Sequence, residues 1–130
     1  CGETDSEFRE TCELVTKIGF SKIHLFPFSP RKGTAAYKME DLGNSIKSER
    51  MKIIGDIERR LEFSYKSGLI GKTFQVLSEK CLNGFSEGFT SNYIKVKFKG
   101  NRINTMEDVL ITDGDCCVGE VLNKGKEIKV

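Results

Sequence analysis

Hydrophobic and polar residues alternate most regularly in the stretch between Gly84 and Lys99. One side of its second half is polar and cationic, formed by Tyr93, Lys95, Lys97 and Lys99. The other side is apolar, formed by Ile94, Val96 and Phe98. This period of two predicts a strand with one face in a core. Two interpretations of the cationic face stay open: a solvated strand face that blunts an edge, or a surface on which lysines meet RNA phosphates and the aromatic ring stacks.

The same short period extends through the second half of the chain, from Gly71 onward. It predicts five strands, at about residues 72–79, 84–90, 93–99, 109–113 and 116–122. Gly-rich turns separate several of these segments, and a polar loop from 100 to 107 is the longest connection. Five short strands in such a length predict a small all-β barrel of the size that binds oligonucleotides.

The first half begins with a helix signal. Thr4 and Glu7 have the spacing of a capping box, and Gly19 is a natural stop. Between them, apolar residues recur at helical spacing, namely Phe8, Cys12, Val15 and Ile18. The pattern predicts a helix of about fourteen residues.

A short apolar segment, a polar loop and a second helix follow. The segment 22–28 is predicted to be a buried strand that ends at Pro27, and the loop is 29–44. Ser45 is expected to cap a helix that reaches about Ser67 and whose basic residues lie on a solvated face. The order helix, strand, helix is typical of a parallel α/β unit, but a single strand cannot form a sheet. We therefore expect the isolated chain either to leave residues 1–44 poorly ordered or to self-associate between Ile23 and Phe28.

Composition narrows the choice of function. The net charge is +2, and each half of the chain contributes about one positive charge, so any affinity for nucleic acid must come from local arrangement. No apolar run approaches the ~20 residues of a membrane span, and the N-terminus is acidic and polar, so a cytoplasmic protein is expected. The five cysteines are scattered and there is one histidine, which predicts neither a metal site nor a catalytic residue in this chain.

In the segments 1–11, 22–39 and 88–100 the chain carries motifs that resemble those of one family, the radical-SAM methylthiotransferases. CGETDSEFRET resembles its GFPGET-x-x-x-F-x-x-T segment, with Cys1 where the family usually has proline. KIHLFPFSPRKGTAAYKM is similar to HVFPYS-x-R-x-GT-x-A-x-KM, and GFTSNYIKVKFKG to the GYT-x-NY-x-x-V-x-F-x-G core of the TRAM domain, an RNA-binding barrel. The three motifs occur in the family's order and span nearly the whole chain. His24 and the Lys38-Met39 pair look most like the branch that acts on threonylcarbamoyladenosine in tRNA.

The resemblance implies an α+β fold in two parts. Residues 1–67 would be the helix–strand–helix end of a radical-SAM barrel, a partial α/β unit. Residues 68–130 would be a five-stranded antiparallel TRAM barrel, similar to an OB fold. The parent enzyme would use 4Fe-4S clusters and S-adenosylmethionine to add a methylthio group to a modified adenosine next to the anticodon. This fragment would bind no cofactor by itself, would not be catalytic alone and would have tRNA as its partner.

Site residues follow from the same resemblance. Near the S-adenosylmethionine end of the barrel it places Gly2 and Glu3. In the loop that faces the substrate cavity it places Ser29, Arg31, Gly33 and Thr34. In the RNA-binding signature it places Thr90, Asn92 and Tyr93, with charge beside them from Lys95, Lys97 and Lys99. Asn92 and Tyr93 have an equally good structural interpretation, as an Asx-turn and a packed ring. After Arg102 the match weakens, which leaves the register of the fourth strand open.

Two other classes of function remain. A protein-interaction or scaffold module without RNA binding fits the near-neutral charge, and its binding would be insensitive to salt. An independent enzyme is disfavoured, because the sequence offers no nucleophile–base pair.

Overall fold

A computed structural model describes residues 1–115 and 117–122, and the backbone of 126–127. It divides into two compact units, Cys1–Tyr65 and Lys66–Val130, which we call the N-terminal unit and the barrel unit. The division lies two residues from the boundary expected between 67 and 68.

The first helix, α1, is Asp5–Ile18, as the sequence predicts. The Thr4 backbone N–H donates to the Glu7 carboxylate at 2.7 Å, and the Glu7 N–H donates to the Thr4 hydroxyl at 3.3 Å, which completes the capping box. The N–H and hydroxyl of Thr4 lower the pKa of Glu7, because both donate to its ionised form. Gly19 ends the helix in the left-handed region at φ 71°.

Substituting Thr4→Ala removes this cap and leaves first-turn N–H groups of α1 without an acceptor. We expect the N-terminal unit to lose about 1 kcal/mol of stability. Amide exchange in the first turn of α1 measures the effect, and Thr4→Ser, which keeps the hydroxyl, is the control. Equal exchange rates in Thr4→Ala and wild type would show that the cap is not needed.

The rest of the N-terminal unit differs from the expected strand and loop. Residues 22–28 form neither helix nor strand, and the Phe26 side chain is 83% exposed, so the predicted buried strand is wrong. The described part of this unit has no other strand to pair with, and a strand needs a ladder partner. A short 3₁₀ helix, Ala35–Lys38, precedes α2, Gly43–Ser67. Because α2 begins at Gly43, Ser45 lies inside the helix and is not its cap.

The barrel unit is one sheet, and its strands are β1 Thr73–Leu82, β2 Phe85–Thr90, β3 Lys95–Lys99, β4 Thr105–Asp113, β5 Val118–Val121 and β6 Lys126–Glu127. The strand order is β1-β2-β3-β5-β4, with β6 on β4, and β1 also pairs with β4. The first five strands therefore close into a small barrel of the expected OB-like kind.

The pairing corrects the sequence prediction in three respects. The barrel is mixed and not purely antiparallel, because β5 runs antiparallel to β4 and so lies parallel to β3. Strand β4 starts at Thr105 instead of Val109, since closure of the barrel needs residues 106–110 against β1. Strand β3 starts at Lys95, because Tyr93 belongs to the preceding turn. Cys116, the predicted start of the last strand, lies outside the described residues.

The barrel interior is apolar at its centre and polar near the β3–β4 connection. Fully buried apolar side chains are Val76, Val96, Phe98, Val109 and Ile111. Ser86 donates to the Gly100 carbonyl at 2.8 Å and accepts from the Arg102 N–H at 2.9 Å. Glu107 is fully buried, accepts from the Thr105 hydroxyl at 2.7 Å and lies 3.6 Å from the Arg102 guanidinium. Both contacts of Glu107 are made by the same carboxylate oxygen, and its other oxygen, Oε2, is buried without a hydrogen-bond partner in the described structure.

Candidate nucleic-acid interface

The outer side of strands β1 to β3 carries aromatic, apolar and charged side chains on one continuous surface, which we call the β1–β3 face. Strand alternation and register place on it Leu77, Lys80, Leu82, Phe85, Glu87, Phe89, Lys95, Lys97 and Lys99. Tyr93 joins it from the β2–β3 turn, in contact with the ring of Phe89. The strand with buried Ile94, Val96 and Phe98 and three exposed lysines is the pattern that the sequence predicts.

Two phenylalanines make the face aromatic. Phe85 and Phe89 are 45% and 38% exposed, although they lie at the centre of a sheet. Phe85 pairs across the strands with Lys99, and Phe89 pairs with Lys95. The two rings are four residues apart on one strand, or about 13 Å. Sequence reasoning missed both. The spacing of Phe85, Glu87 and Phe89 in β2 shows only that the three share one side of the strand, and the pairing of β2 with β3 puts that side beside the lysines.

Tyr93 is held outward by a tight turn. The Tyr93 N–H donates to the Thr90 carbonyl at 3.0 Å, and Tyr93 has a φ of 62°, unusual for a residue with a large side chain. The buried Thr90 hydroxyl donates to the Asn92 side chain at 2.6 Å and accepts from the Ile94 N–H at 3.0 Å. Thr90 and Asn92 therefore shape the turn, and the Tyr93 side chain is 86% exposed.

The Phe89 and Tyr93 rings border a shallow groove. Their centroids are 6.4 Å apart and their planes are inclined by 49°. The groove has a volume of about 430 Å³ and is also lined by Leu77, Met106 and Gln75. Its apolar floor, amide and phenol together suit a flat ring with polar edges, such as an unpaired base.

Glu87 partly neutralises the lysines. Its carboxylate lies 2.6 Å from the Lys95 ammonium and 3.0 Å from the Lys97 ammonium. The hydrogen bonds from these two lysines lower the pKa of Glu87, so it is ionised at neutral pH. No carboxylate of the described residues forms an ion pair with Lys99.

In the N-terminal unit, Arg50 organises the segment that contains Gly2 and Glu3. Its guanidinium donates to the Glu3 carbonyl at 3.0 Å and lies 2.8 Å from the Asp5 carboxylate and 4.9 Å from the centre of the Phe8 ring. The Glu3 carboxylate lies between Arg50, at 3.1 Å, and the Thr11 hydroxyl, at 3.1 Å. The expectation of a solvated arginine is wrong here, because the Arg50 side chain is 12% exposed.

The other predicted site residues of this unit form a separate turn. Thr34 donates through its hydroxyl to the Arg31 carbonyl at 2.8 Å, and Gly33 between them has a φ of 87°. Glu3 lines one cavity, of about 340 Å³, with His24 and Arg50. Ser29 lines another, and Arg31, Gly33 and Thr34 line neither of the two.

The described residues offer neither a cluster of metal ligands nor a membrane-spanning helix. Within residues 1–115 and 117–122, no three histidine, cysteine or acidic side chains come close enough together to hold a metal ion. None of the helices in the described part of the chain is long and apolar enough to cross a membrane.

No protein-family model matches the chain, but its sequence is similar to those of several known proteins. It is 38% identical over 112 residues to the threonylcarbamoyladenosine tRNA methylthiotransferase of Thermotoga maritima, and 35% identical over 105 residues to that of Bacillus subtilis. These matches cover 85% and 76% of the chain but only 26% and 23% of the relatives. A tRNA-2-methylthio-N(6)-dimethylallyladenosine synthase of Thermus thermophilus is 40% identical over 92 residues, which are 67% of the chain and 19% of that protein. The chain spans about a quarter of the relatives it matches, and it belongs with the C-terminal part of the tRNA methylthiotransferases.

Proposed function

We propose that the barrel unit binds tRNA through the β1–β3 face. The observation that carries this proposal is the alternation of exposed rings and lysines across two paired strands, Phe85 opposite Lys99 and Phe89 opposite Lys95. Rings provide stacking planes for unpaired bases and lysines meet the backbone between them. On an OB-like barrel this surface is a common site for oligonucleotides. The names of the relatives, which specify tRNA, support the same partner.

The complete protein is proposed to modify that tRNA in the cytoplasm. By resemblance, it adds a methylthio group to threonylcarbamoyladenosine next to the anticodon, with His24, Lys38 and Met39 as the residues that favour this branch. The relatives that match the chain are named for two different nucleosides, threonylcarbamoyladenosine and dimethylallyladenosine. The choice between these two nucleosides therefore depends on the three residues just named. The chemistry would be supplied by 4Fe-4S clusters and S-adenosylmethionine. By the same resemblance, this chain alone is proposed to bind no cofactor and not to be catalytic.

Within this proposal the N-terminal unit would contribute to cofactor and substrate binding. The positive φ of Gly2, 69°, and the clamped carboxylate of Glu3 give the first segment one defined backbone path. Because both carboxylate oxygens and the backbone carbonyl of Glu3 already accept hydrogen bonds, its contact with S-adenosylmethionine would come from the backbone N–H. The turn that contains Arg31, Gly33 and Thr34, together with Ser29, is the proposed substrate-facing loop, in which Arg31 could pair with a carboxylate or phosphate.

A salt titration tests the proposal directly. Replacing Lys95, Lys97 and Lys99 together by alanine should weaken binding of an unmodified tRNA anticodon stem-loop. It should also flatten the plot of log affinity against log salt by roughly one unit per lost phosphate contact. The lysines release counterions from the RNA only if they touch its phosphates.

The matched control replaces Lys17, Lys52 and Lys72, three exposed lysines that lie off the face, by alanine, with the same change of net charge. An unchanged slope in the Lys95/Lys97/Lys99 variant, or an equal change in the control, would reject the β1–β3 face as the RNA surface. The alternative scaffold function is supported by two exposed leucines of the face, Leu77 and Leu82. It would be favoured if the chain bound another protein with an affinity that does not depend on salt and that is lost when both leucines are replaced.

A further inference from the structure

Glu87 is an unexpected residue at the centre of a surface proposed to meet phosphate groups. It lies on β2 between Phe85 and Phe89 and directly opposite Lys97 in the register. Its side chain is 17% exposed, whereas those of Lys95 and Lys97 are 54% and 51% exposed. The carboxylate is therefore set beneath the two ammonium groups, with one oxygen toward each.

This arrangement weakens the face as a general binder of polyanions. A phosphate that approaches Lys95 or Lys97 must share the ammonium group with the Glu87 carboxylate, which repels it at short range. The three groups together present one net positive charge instead of two. Lys99, which has no such pair among the described residues, remains at the other end of the face, beside Phe85.

The aromatic part of the surface is unaffected by Glu87. Phe85, Phe89 and Tyr93 offer stacking to any base that is unpaired, because every base has a flat face. In duplex RNA the bases are stacked on one another and only backbone and groove edges are available. Binding of duplex RNA therefore depends on the lysines, two of which are paired with Glu87, whereas an RNA loop can also stack its bases on the rings.

We propose that Glu87 is the specificity-determining residue of the β1–β3 face. It competes with backbone phosphates for Lys95 and Lys97, and so favours RNA that has unpaired bases to stack on the rings. This inference rests on the proposed RNA-binding function and extends it to the class of RNA recognised. Specificity would come here from disfavouring the wrong partner. Glu87 weakens the charge attraction that every RNA experiences, and it leaves unchanged the stacking that only unpaired bases can make.

The test compares two RNAs with the whole chain. One is an anticodon stem-loop with its loop unpaired, and the other is a blunt duplex with the same number of nucleotides. Affinities are measured over a range of KCl concentrations for wild type, for Glu87→Gln and for Glu120→Gln. Glu120 is exposed on β5, off the face, so its variant makes the same change of charge elsewhere.

We expect wild type to prefer the stem-loop. Glu87→Gln should bind the duplex about tenfold more tightly, with a salt slope steeper by roughly one to two units, because two lysines become available. It should bind the stem-loop only about threefold more tightly, so that the preference for the loop falls about threefold. Glu120→Gln should leave the preference unchanged. Glu87→Thr, which suits a strand, repeats the test should the amide variant fold poorly.

The failures are distinguishable. In the first case, wild type binds RNA with a salt-dependent affinity, and Glu87→Gln and Glu120→Gln have the same affinity as each other for each RNA. This result would overturn the role of Glu87 and leave the RNA-binding function intact. An equal gain on both RNAs in Glu87→Gln would overturn the selection of unpaired bases. No binding of either RNA by wild type at low salt would overturn the proposed function and this inference with it.

Discussion

Substituting Gly88→Ala is expected to unfold the barrel unit. Gly88 lies on β2 with its α-hydrogen directed at β1, and a Cβ there would lie 1.9 Å from the Leu77 carbonyl oxygen and 2.6 Å from its carbon. These are backbone atoms, so no side-chain rotation relieves the overlap. The two strands would have to separate, with loss of the pairing between β1 and β2 around Ser78 and Gly88.

The expected cost is about 4 kcal/mol or more, the range that single substitutions reach when backbone must move. A unit of this size is stable by only about 3–10 kcal/mol, so most of its stability would be lost. Urea unfolding, followed by the circular dichroism of the sheet, measures it. The control is Gly55→Ala in α2, where the added Cβ makes ordinary contacts at 3.7 and 3.9 Å. That change should stabilise the N-terminal unit by about 0.5–1 kcal/mol, because alanine is the better helix former. Gly88→Ala protein that unfolds at the wild-type urea concentration would contradict the pairing of β1 with β2.

The second large effect is expected on binding. Replacing Phe85 and Phe89 together by alanine removes two stacking planes from the β1–β3 face. Stacking of a base on an aromatic ring is worth about 1–3 kcal/mol, so affinity for the anticodon stem-loop should fall about 30-fold or more. The salt slope should stay at its wild-type value, because the lysines that release counterions are untouched.

A matched control separates this effect from a general loss of exposed aromatic surface. Phe63→Ala removes a ring that is 57% exposed on α2, and it should not change RNA affinity. Because Phe85 and Phe89 are about half exposed, their loss should leave the barrel folded, which circular dichroism verifies. A loss of less than threefold, or a flatter salt slope with the same loss, would show that the rings do not stack on bases.

The sequence determined the elements whose signals are local. The capping box of Thr4 and Glu7 and the stop at Gly19 specify α1 through bonds within a few residues. The strict alternation from Ile94 to Lys99 determined which side chains are buried and which lysines are exposed, because strand geometry alone sets the face. The three motifs, taken in order, also determined the family.

Tertiary structure decided what depends on partners distant in sequence. Met106 and Glu107 look like the end of a polar loop, but they pair with β1 and so help to close the barrel. Thr105 and Arg102 engage one carboxylate oxygen of the buried Glu107. The segment 22–28 looks like a buried strand, but no strand in the described residues pairs with it. Arg50 looks solvated until α2 is packed on the segment of Glu3, 47 residues earlier.

The candidate site shows the same division. Strand alternation identified Lys95, Lys97 and Lys99, but only the register of β2 against β3 placed Phe85, Phe89 and Glu87 among them. The contact of the Glu87 carboxylate with two lysines of the neighbouring strand, from which its proposed role follows, is visible only in the tertiary structure. The physical reason is that the direction of a side chain follows from its position within its own strand, whereas its neighbours on adjacent strands are set by the register of the sheet.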